Sequence, residues 1–157
     1  MPVPEDGWTA EDINKILYIN GKPISLPCTI AELGEGFEWA PEEPQAYEED
    51  ETSLVLMNYN GSRFALVNVY AKNQSELETA KIVGWNFYGS ETSSMYINGI
   101  TIDSTYDDVL EAFGTPTEET KSDSLNVVHY KFDKRHICFI INSGQGMQDS
   151  IIIKVLE

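Results

Sequence analysis

The sequence predicts an α+β fold built from two tandem repeats, each made of a β-hairpin, a short α-helix and a three-stranded antiparallel sheet. Two observations carry this prediction. The stretch YINGKPIS at residues 18–25 reappears in altered form as YINGITID at residues 96–103. Each copy is followed by a helix-like segment and then by three strand-like runs. A chain of 157 residues, 41% of them hydrophobic, suffices for a substantial core.

The YING motif predicts a hairpin in each copy. In the second copy, Asn98-Gly99 stands between two apolar runs, which is the strongest short-range signal for a two-residue hairpin turn. Asn20-Gly21 occupies the same place in the first copy. Pro23 has no backbone N–H to donate, so we expect its arm to lie at the edge of a sheet.

A short helix is predicted after each hairpin. Thr105 is a candidate N-cap for the second helix, and Gly114 is a candidate terminator. The first copy keeps a capping-box pair, Thr29 and Glu32, and an apolar stripe that reaches Phe37, but two glycines weaken it. The apolar stripe of the second helix, at i, i+3, i+4 and i+7, consists of Tyr106, Val109, Leu110 and Phe113.

Three strand-like runs follow each helix. Alternation along the middle runs places one set of apolar side chains towards the helices. The runs are 54–59, 64–70 and 80–87 in the first copy and 125–132, 136–141 and 150–156 in the second. The side chains expected to face the helices are Ala65, Val67, Val69, Ile137, Phe139 and Ile141.

These elements divide the chain into two units. The first covers residues 1–90, with a core at about 16–88, and the second covers 91–157, with a core at about 94–157. The polar stretch GSETSS at 89–94 joins them, and we expect the two units to pack together. The Pro-rich polar start of the chain is interpreted as the cut end of a longer precursor.

Composition excludes several classes of partner. The net charge of −16, from 26 acidic and 10 basic residues, repels nucleic acid and anionic lipid. No run of about 18 apolar residues exists, so no membrane span is predicted. Cys28 and Cys138 could form one disulfide, but two free buried thiols are favoured.

No residue pattern predicts catalysis, a cofactor or a metal site. The chain has two histidines, and although His136 and Cys138 share a strand face, His129 and Cys28 lie at irregular distances from them. A Cys/His hydrolase is therefore the least favoured alternative. Carboxylates near residue 105 suit a helix N-terminus. The acidic stretch at 41–51 is interpreted as a solvated connection, and residues 142–150 as a hairpin turn.

The segment INGITIDSTYDDVLEAFGTPTE, the hairpin YKFDKRHICFII and the closing IIIKVLE resemble uncharacterised secreted lipoproteins of Gram-positive, clostridial-type bacteria. The duplicated order of elements is similar to the fold of the β-lactamase inhibitory protein, and one copy is similar to the small lipoprotein of the outer-membrane barrel-assembly machinery. The resemblance implies a curved sheet, export, a lipid anchor on the precursor and a non-catalytic binding role. The inhibitor's helix cysteine pairs are missing here, and none of its interface residues matches a position of this sequence, so β-lactamase inhibition does not transfer.

The sequence therefore predicts an extracellular or cell-surface binding or adaptor module with an unknown protein or glycan partner. A structural domain of an envelope assembly is the alternative. Exposed apolar or aromatic surfaces mark interaction sites, and the sheet face away from the helices is the candidate surface. The side chains that alternation places on that face are Phe64, Leu66, Tyr70, His136 and Ile140.

Overall fold

Antiparallel sheet and two α-helices make up the fold in a computed structural model that describes residues 1–41, 45–46, 52–88, 95–142 and 148–155. This architecture confirms the α+β class. The helices are α1 (Ala10–Ile16) and α2 (Tyr106–Phe113). The strands are β1 (Leu17–Ile19), β2 (Lys22–Pro23), β3 (Phe37–Trp39), β4 (Gln45–Ala46), β5 (Ser53–Tyr59), β6 (Ser62–Val69), β7 (Ile82–Tyr88), β8 (Met95–Ile97), β9 (Glu118–Lys121), β10 (Leu125–Phe132), β11 (Arg135–Asn142) and β12 (Gln148–Val155).

A large sheet holds nine of these strands, in the order β3-β5-β6-β7-β12-β11-β10-β9, with β4 also paired to β5. The strands before residue 90 lie on one side of it and those after residue 117 on the other. The two groups meet where β7 pairs antiparallel with β12. Both predicted units therefore contribute to one continuous sheet and to one hydrophobic core.

The two YING segments meet in a smaller sheet of order β2-β1-β8. Both Asn-Gly turns have positive φ at each residue, as a type I′ turn requires, which confirms the predicted turns. Tyr18 pairs directly with Tyr96, and their rings stack with centroids 4.9 Å apart. Pro23 lies on β2 at the edge of this sheet, as predicted.

Helix α2 confirms the prediction for the second helix. Thr105 caps it, with the backbone N–H of Thr105 donating to Asp108 Oδ2 at 2.9 Å and that of Asp108 donating back to Thr105 Oγ1 at 3.2 Å. Phe113 at its end packs 5.3 Å from Phe139 of the large sheet, measured between ring centroids. The six apolar side chains expected to face the helices are all buried.

The first predicted helix is a single turn, in agreement with the weakening expected from its two glycines. Only a 3-10 helix at Ile30–Leu33 forms, and Gly34 follows it with a φ of 101°. That left-handed backbone costs little at glycine and ends the helix. The predicted helical stripe through Phe37 is therefore wrong, because Phe37 belongs to β3.

The chain start is a structured part of the fold, which the sequence analysis does not predict. Thr9 and Asp12 form a capping box at the start of α1. Trp8 is buried, its Nε1–H donates to the carbonyl of Phe113 at 3.0 Å, and their rings pack at 5.2 Å. Strand β9 is also unpredicted, since its four residues are exposed and carry no apolar alternation.

Several predicted segments fall outside the described residues: the joining stretch at 89–94, most of the acidic stretch at 41–51 and most of the turn at 142–150. Both cysteines are free and buried, as favoured. None of the helices described above is long and apolar enough to cross a membrane.

Candidate functional site: the outer face of the large sheet

The large sheet has one face against the core and one face that stays partly open to solvent, called here the outer face. On β5, Val55 and Met57 are buried against the core, whereas Leu54 and Leu56 alternate with them and keep partial exposure. The same alternation continues on β10, where Val128 and Tyr130 are buried, Val127 and His129 are half-buried and Lys131 is exposed. Period-two alternation therefore defines the outer face from sequence and register together.

A straight line of side chains crosses the outer face from β5 to β9, and we call it the central row. Each member pairs directly with the next on the neighbouring strand. Its first half is largely aliphatic and its second half carries thiol, imidazole and carboxylate groups. In order, the members are Leu56, Leu66, Asn86, Ile152, Cys138, His129 and Glu118.

A parallel line, the second row, lies two residues along the strands. Its centre is Gly84, where a side chain would not fit: a Cβ there would approach Lys154 Cγ to 2.8 Å and Asn68 Oδ1 to 3.0 Å. The Lys154 and Asn68 side chains therefore lie across the glycine and fill the space above it. In order, the members are Leu54, Asn68, Gly84, Lys154, His136 and Lys131.

Three of the five predicted surface residues belong to the outer face. Leu66 is in the central row, His136 is in the second row, and Ile140 pairs with Val127 on the other side of the central row. All three are half-buried. Tyr70 lies one residue beyond β6 and is also half-buried.

The placement of Phe64 on the outer face is wrong. Met57 pairs with Ala65, but the next residue, Asn58, pairs with Arg63, so Phe64 is the extra residue of a β-bulge. The bulge turns its ring inward, where it is 2% exposed and packs edge-on to Trp85 and Phe87.

Two imidazoles and one thiol converge on the outer face at β10–β11. His129 pairs with Cys138 across the strands, and His136 precedes Cys138 by two residues on the same face. One ligand atom from each side chain lies within 4.8 Å of the other two. His129 Nδ1 and His136 Nε2 are 2.9 Å apart, and the two rings stack at 5.1 Å. We call these three residues the His–Cys cluster.

Burial sets the protonation of the cluster. Removal from water raises the pKa of the Cys138 thiol to about 11, with Lys131 opposing the shift. Burial also lowers the pKa of His136, and the electrostatic influence of His129, Lys131 and Lys154 lowers it further while Glu118 opposes them. At neutral pH the cluster therefore holds a thiol and a neutral His136. A raised thiol pKa is the opposite of what activates a cysteine nucleophile.

The sequence analysis missed His129, Asn86 and Ile152 as members of the candidate surface. His129 is seven residues from His136, and only the register of a tight hairpin brings them together. Alternation on β10 from the buried Val128 and Tyr130 was the available signal. Asn86 Oδ1 is buried and accepts no hydrogen bond from the described residues, so the aliphatic half of the central row contains an unsatisfied acceptor.

Another described cleft, of about 450 Å³, lies beside the Asn98-Gly99 turn. Asp108 and Glu111 contribute carboxylates to it. Asp108 is committed to the capping box with Thr105, as the helix dipole interpretation predicts. The Asp108 carboxylate at this cleft therefore has a structural role at the start of α2.

Comparisons with known proteins give one distant likeness. No protein-family model matches the chain, and no curated protein matches it. The fold is similar to that of a DUF4309 family protein, YjgB, from the Gram-positive bacterium Bacillus subtilis, with 10% sequence identity and a TM-score of 0.37 over 70% of this chain and 68% of that chain. Such a likeness is too distant to transfer a function. The predicted resemblance to secreted lipoproteins and to the β-lactamase inhibitory protein stays a prediction.

Proposed function

We propose that this chain is a non-catalytic binding module of the extracellular or cell-envelope space, and that its outer face docks a protein partner. The observation that carries the proposal is the central row, where aliphatic side chains line up across β5, β6 and β12 and remain partly open to solvent. Apolar side chains that stay partly open to solvent on one sheet face are typical of interaction sites.

The chemistry of the central row favours a protein over a glycan. Carbohydrate-binding faces depend on aromatic platforms and on many polar groups, whereas Leu56, Leu66 and Ile152 offer neither. The bulge at Phe64 removes an aromatic ring from this face. Asn86 Oδ1 is itself buried, so the aliphatic side chains on either side of it form the surface that a partner would meet. An apolar protein segment fits this pattern.

The net charge of −16 favours a partner that is neutral or cationic. The location rests on the resemblance of residues 97–116 to secreted lipoproteins, which also implies a lipid anchor on the precursor. The two-unit sheet, and the pairing of the two YING segments at Tyr18 and Tyr96, support descent from a duplicated hairpin–helix–sheet unit. The alternative is a structural domain of an envelope assembly, in which the same face would be covered permanently by a neighbouring protein.

The test selects binders against the folded chain from a library of peptides and small protein domains. Binders are then measured by titration against Leu66→Ser, Leu56→Ser and the control Tyr96→Ser, which alters a side chain 38% exposed on the small sheet. We expect at least about tenfold weaker binding, or about 1.4 kcal/mol, for each leucine variant and no change for the control. Binders insensitive to both leucines would remove the outer face from consideration. If the library gives no protein or peptide binder while glycans on an array do bind the chain, a glycan is the partner.

A further inference from the structure

We propose that His129, His136 and Cys138 form a three-coordinate site for a soft monovalent metal ion, Cu⁺. The site lies on the outer face, but the argument for it does not depend on the proposed partner docking. Two imidazole nitrogens and one thiolate sulfur are the donors that soft and borderline d-block ions prefer.

The concentration of these donors is the first support. The whole sequence has two histidines and two cysteines, and three of those four side chains meet within 4.8 Å. They come from two strands of one hairpin, so the backbone hydrogen bonds of the sheet hold their Cα positions. A site built on regular strands keeps its geometry better than one built on loops.

The distances fit metal coordination after a small movement. The nitrogens of His129 and His136 now share a hydrogen at 2.9 Å. In a trigonal site with metal–nitrogen bonds of about 2.0 Å they would stand about 3.5 Å apart. Both rings are half-buried at the sheet surface, so side-chain rotation opens the gap without a backbone shift. The ring that carries the shared hydrogen would move it, through water, to its other nitrogen, so that the ion binds two neutral imidazoles.

The packing of the fold does not require these residues. In the hairpin β5–β6, the fourth cross-strand pair from the turn is Leu56–Leu66, on the same outer face. The fourth pair in β10–β11 is His129–Cys138. Two leucines therefore satisfy the sheet at the matching position, and a half-buried imidazole pair beside a buried thiol needs a different explanation.

Local charge selects the ion. Binding replaces the thiol proton of Cys138, which passes to water, so the bound sulfur is an anion. Cu⁺ with one thiolate and two neutral imidazoles is a neutral complex, whereas Zn²⁺ with the same ligands keeps one positive charge. Among the described side chains, Lys131 and Lys154 flank His136 in the second row, and the carboxylate of Glu118 already contacts Lys131 Nζ at 3.4 Å. This surplus of positive charge favours the neutral complex.

The test titrates the purified chain with Cu⁺ under anaerobic, reducing conditions against a colorimetric Cu⁺ chelator, with Ag⁺ as a redox-inert second probe. We expect one ion per chain. Cys138→Ser should weaken the apparent affinity at least about 100-fold, and His129→Gln at least about tenfold. The matched control Cys28→Ser changes the other buried thiol and should leave the affinity unchanged.

Thermal unfolding of each variant without metal shows whether it is folded. If Cys138→Ser is unfolded, the affinity of His129→Gln decides the result. Three results would overturn the proposal: no binding against the chelator, one ion per two chains, or loss of binding in Cys28→Ser. A competition experiment adds a fourth contrary result. If one Zn²⁺ binds per chain and added Cu⁺ does not displace it, the local charge does not select Cu⁺ and the proposal is overturned.

Discussion

The two long hairpins of the large sheet, β5–β6 and β10–β11, differ in chemistry at equivalent cross-strand pairs on the outer face. Counted from each turn, the fourth pair is Leu56–Leu66 in one hairpin and His129–Cys138 in the other. The aliphatic pair shows what the sheet alone requires. The difference teaches that the second hairpin carries polar groups that the fold does not demand.

The hairpins also differ nearer their turns. Alternation on β11 is regular from Arg135 to Ile140, so His136 stays on the outer face. On β6 the bulge at Phe64 interrupts alternation and sends the ring into the core. A single extra residue therefore sends one side chain of β6 into the core, whereas each residue of β11 from Arg135 to Ile140 has its own partner on β10.

The largest expected effect is the loss of stability when the core side chain Phe64 is truncated. Phe64→Ala removes a ring that packs against Trp85 and Phe87, and it should lower the free energy of unfolding by about 4 kcal/mol. For comparison, His136→Ala in the other hairpin should cost about 1 kcal/mol in metal-free protein because that ring is half-buried. Urea unfolding followed by circular dichroism measures both. Equal losses would contradict the assignment of Phe64 to the core.

The second prediction compares the two thiols. Burial raises the pKa of Cys28 to about 12, with Glu32 adding to the shift. The unfolded thiol ionises above about pH 9 while the folded thiol stays neutral, so stability present below pH 9 is lost as pH rises towards 12. The free energy of unfolding of the wild type, measured relative to that of Cys28→Ala by urea unfolding, should fall by about 2 kcal/mol between pH 8 and 10.5. A gap independent of pH would show that the thiol is not desolvated.

The third prediction transfers the His–Cys cluster to the first hairpin. The triple change Leu56→His, Leu66→Cys and Arg63→His recreates its donor types on β5–β6, in a background that carries Cys138→Ser. Because the bulge lies between positions 63 and 66, the donors should not converge, and Cu⁺ should bind at least about tenfold more weakly than to wild type, or about 1.4 kcal/mol. Affinity equal to that of wild type would mean that the regular register of β11 is unimportant.

The smallest effect concerns the paired YING segments. Tyr18 and Tyr96 stack at 4.9 Å with planes 11° apart on a partly exposed surface. A double-mutant cycle with Tyr18→Ala and Tyr96→Ala should give a coupling free energy of about 0.5–1 kcal/mol. Coupling near zero would mean that backbone pairing alone joins the two segments.

Local signals in the sequence predict the local parts of this fold. The Asn-Gly turns, the capping box at Thr105 and the buried alternation of the middle strands were all predictable, because each depends on neighbouring residues. Helix α1 was missed although Thr9 and Asp12 form the same capping pattern, because a Pro-rich polar start obscured it. The edge strand β9 has no apolar alternation to reveal it.

Register explains why the candidate site was predicted only in part. Leu66, His136 and Ile140 follow from alternation within one strand. The bulge at Phe64 depends on tertiary packing of its ring, which no pattern of neighbours shows. The meeting of His129 with Cys138 depends on the turn length of β10–β11, which aligns the two strands.

The central claim is that β10–β11 presents a functional group of ligands where β5–β6 presents leucines. X-ray absorption spectroscopy of the Cu⁺-loaded wild-type chain tests it most directly, because it counts the atoms bound to the metal. We expect two nitrogen neighbours and one sulfur neighbour, from His129, His136 and Cys138. Two sulfur neighbours, or a shell of oxygen and nitrogen alone, would contradict it.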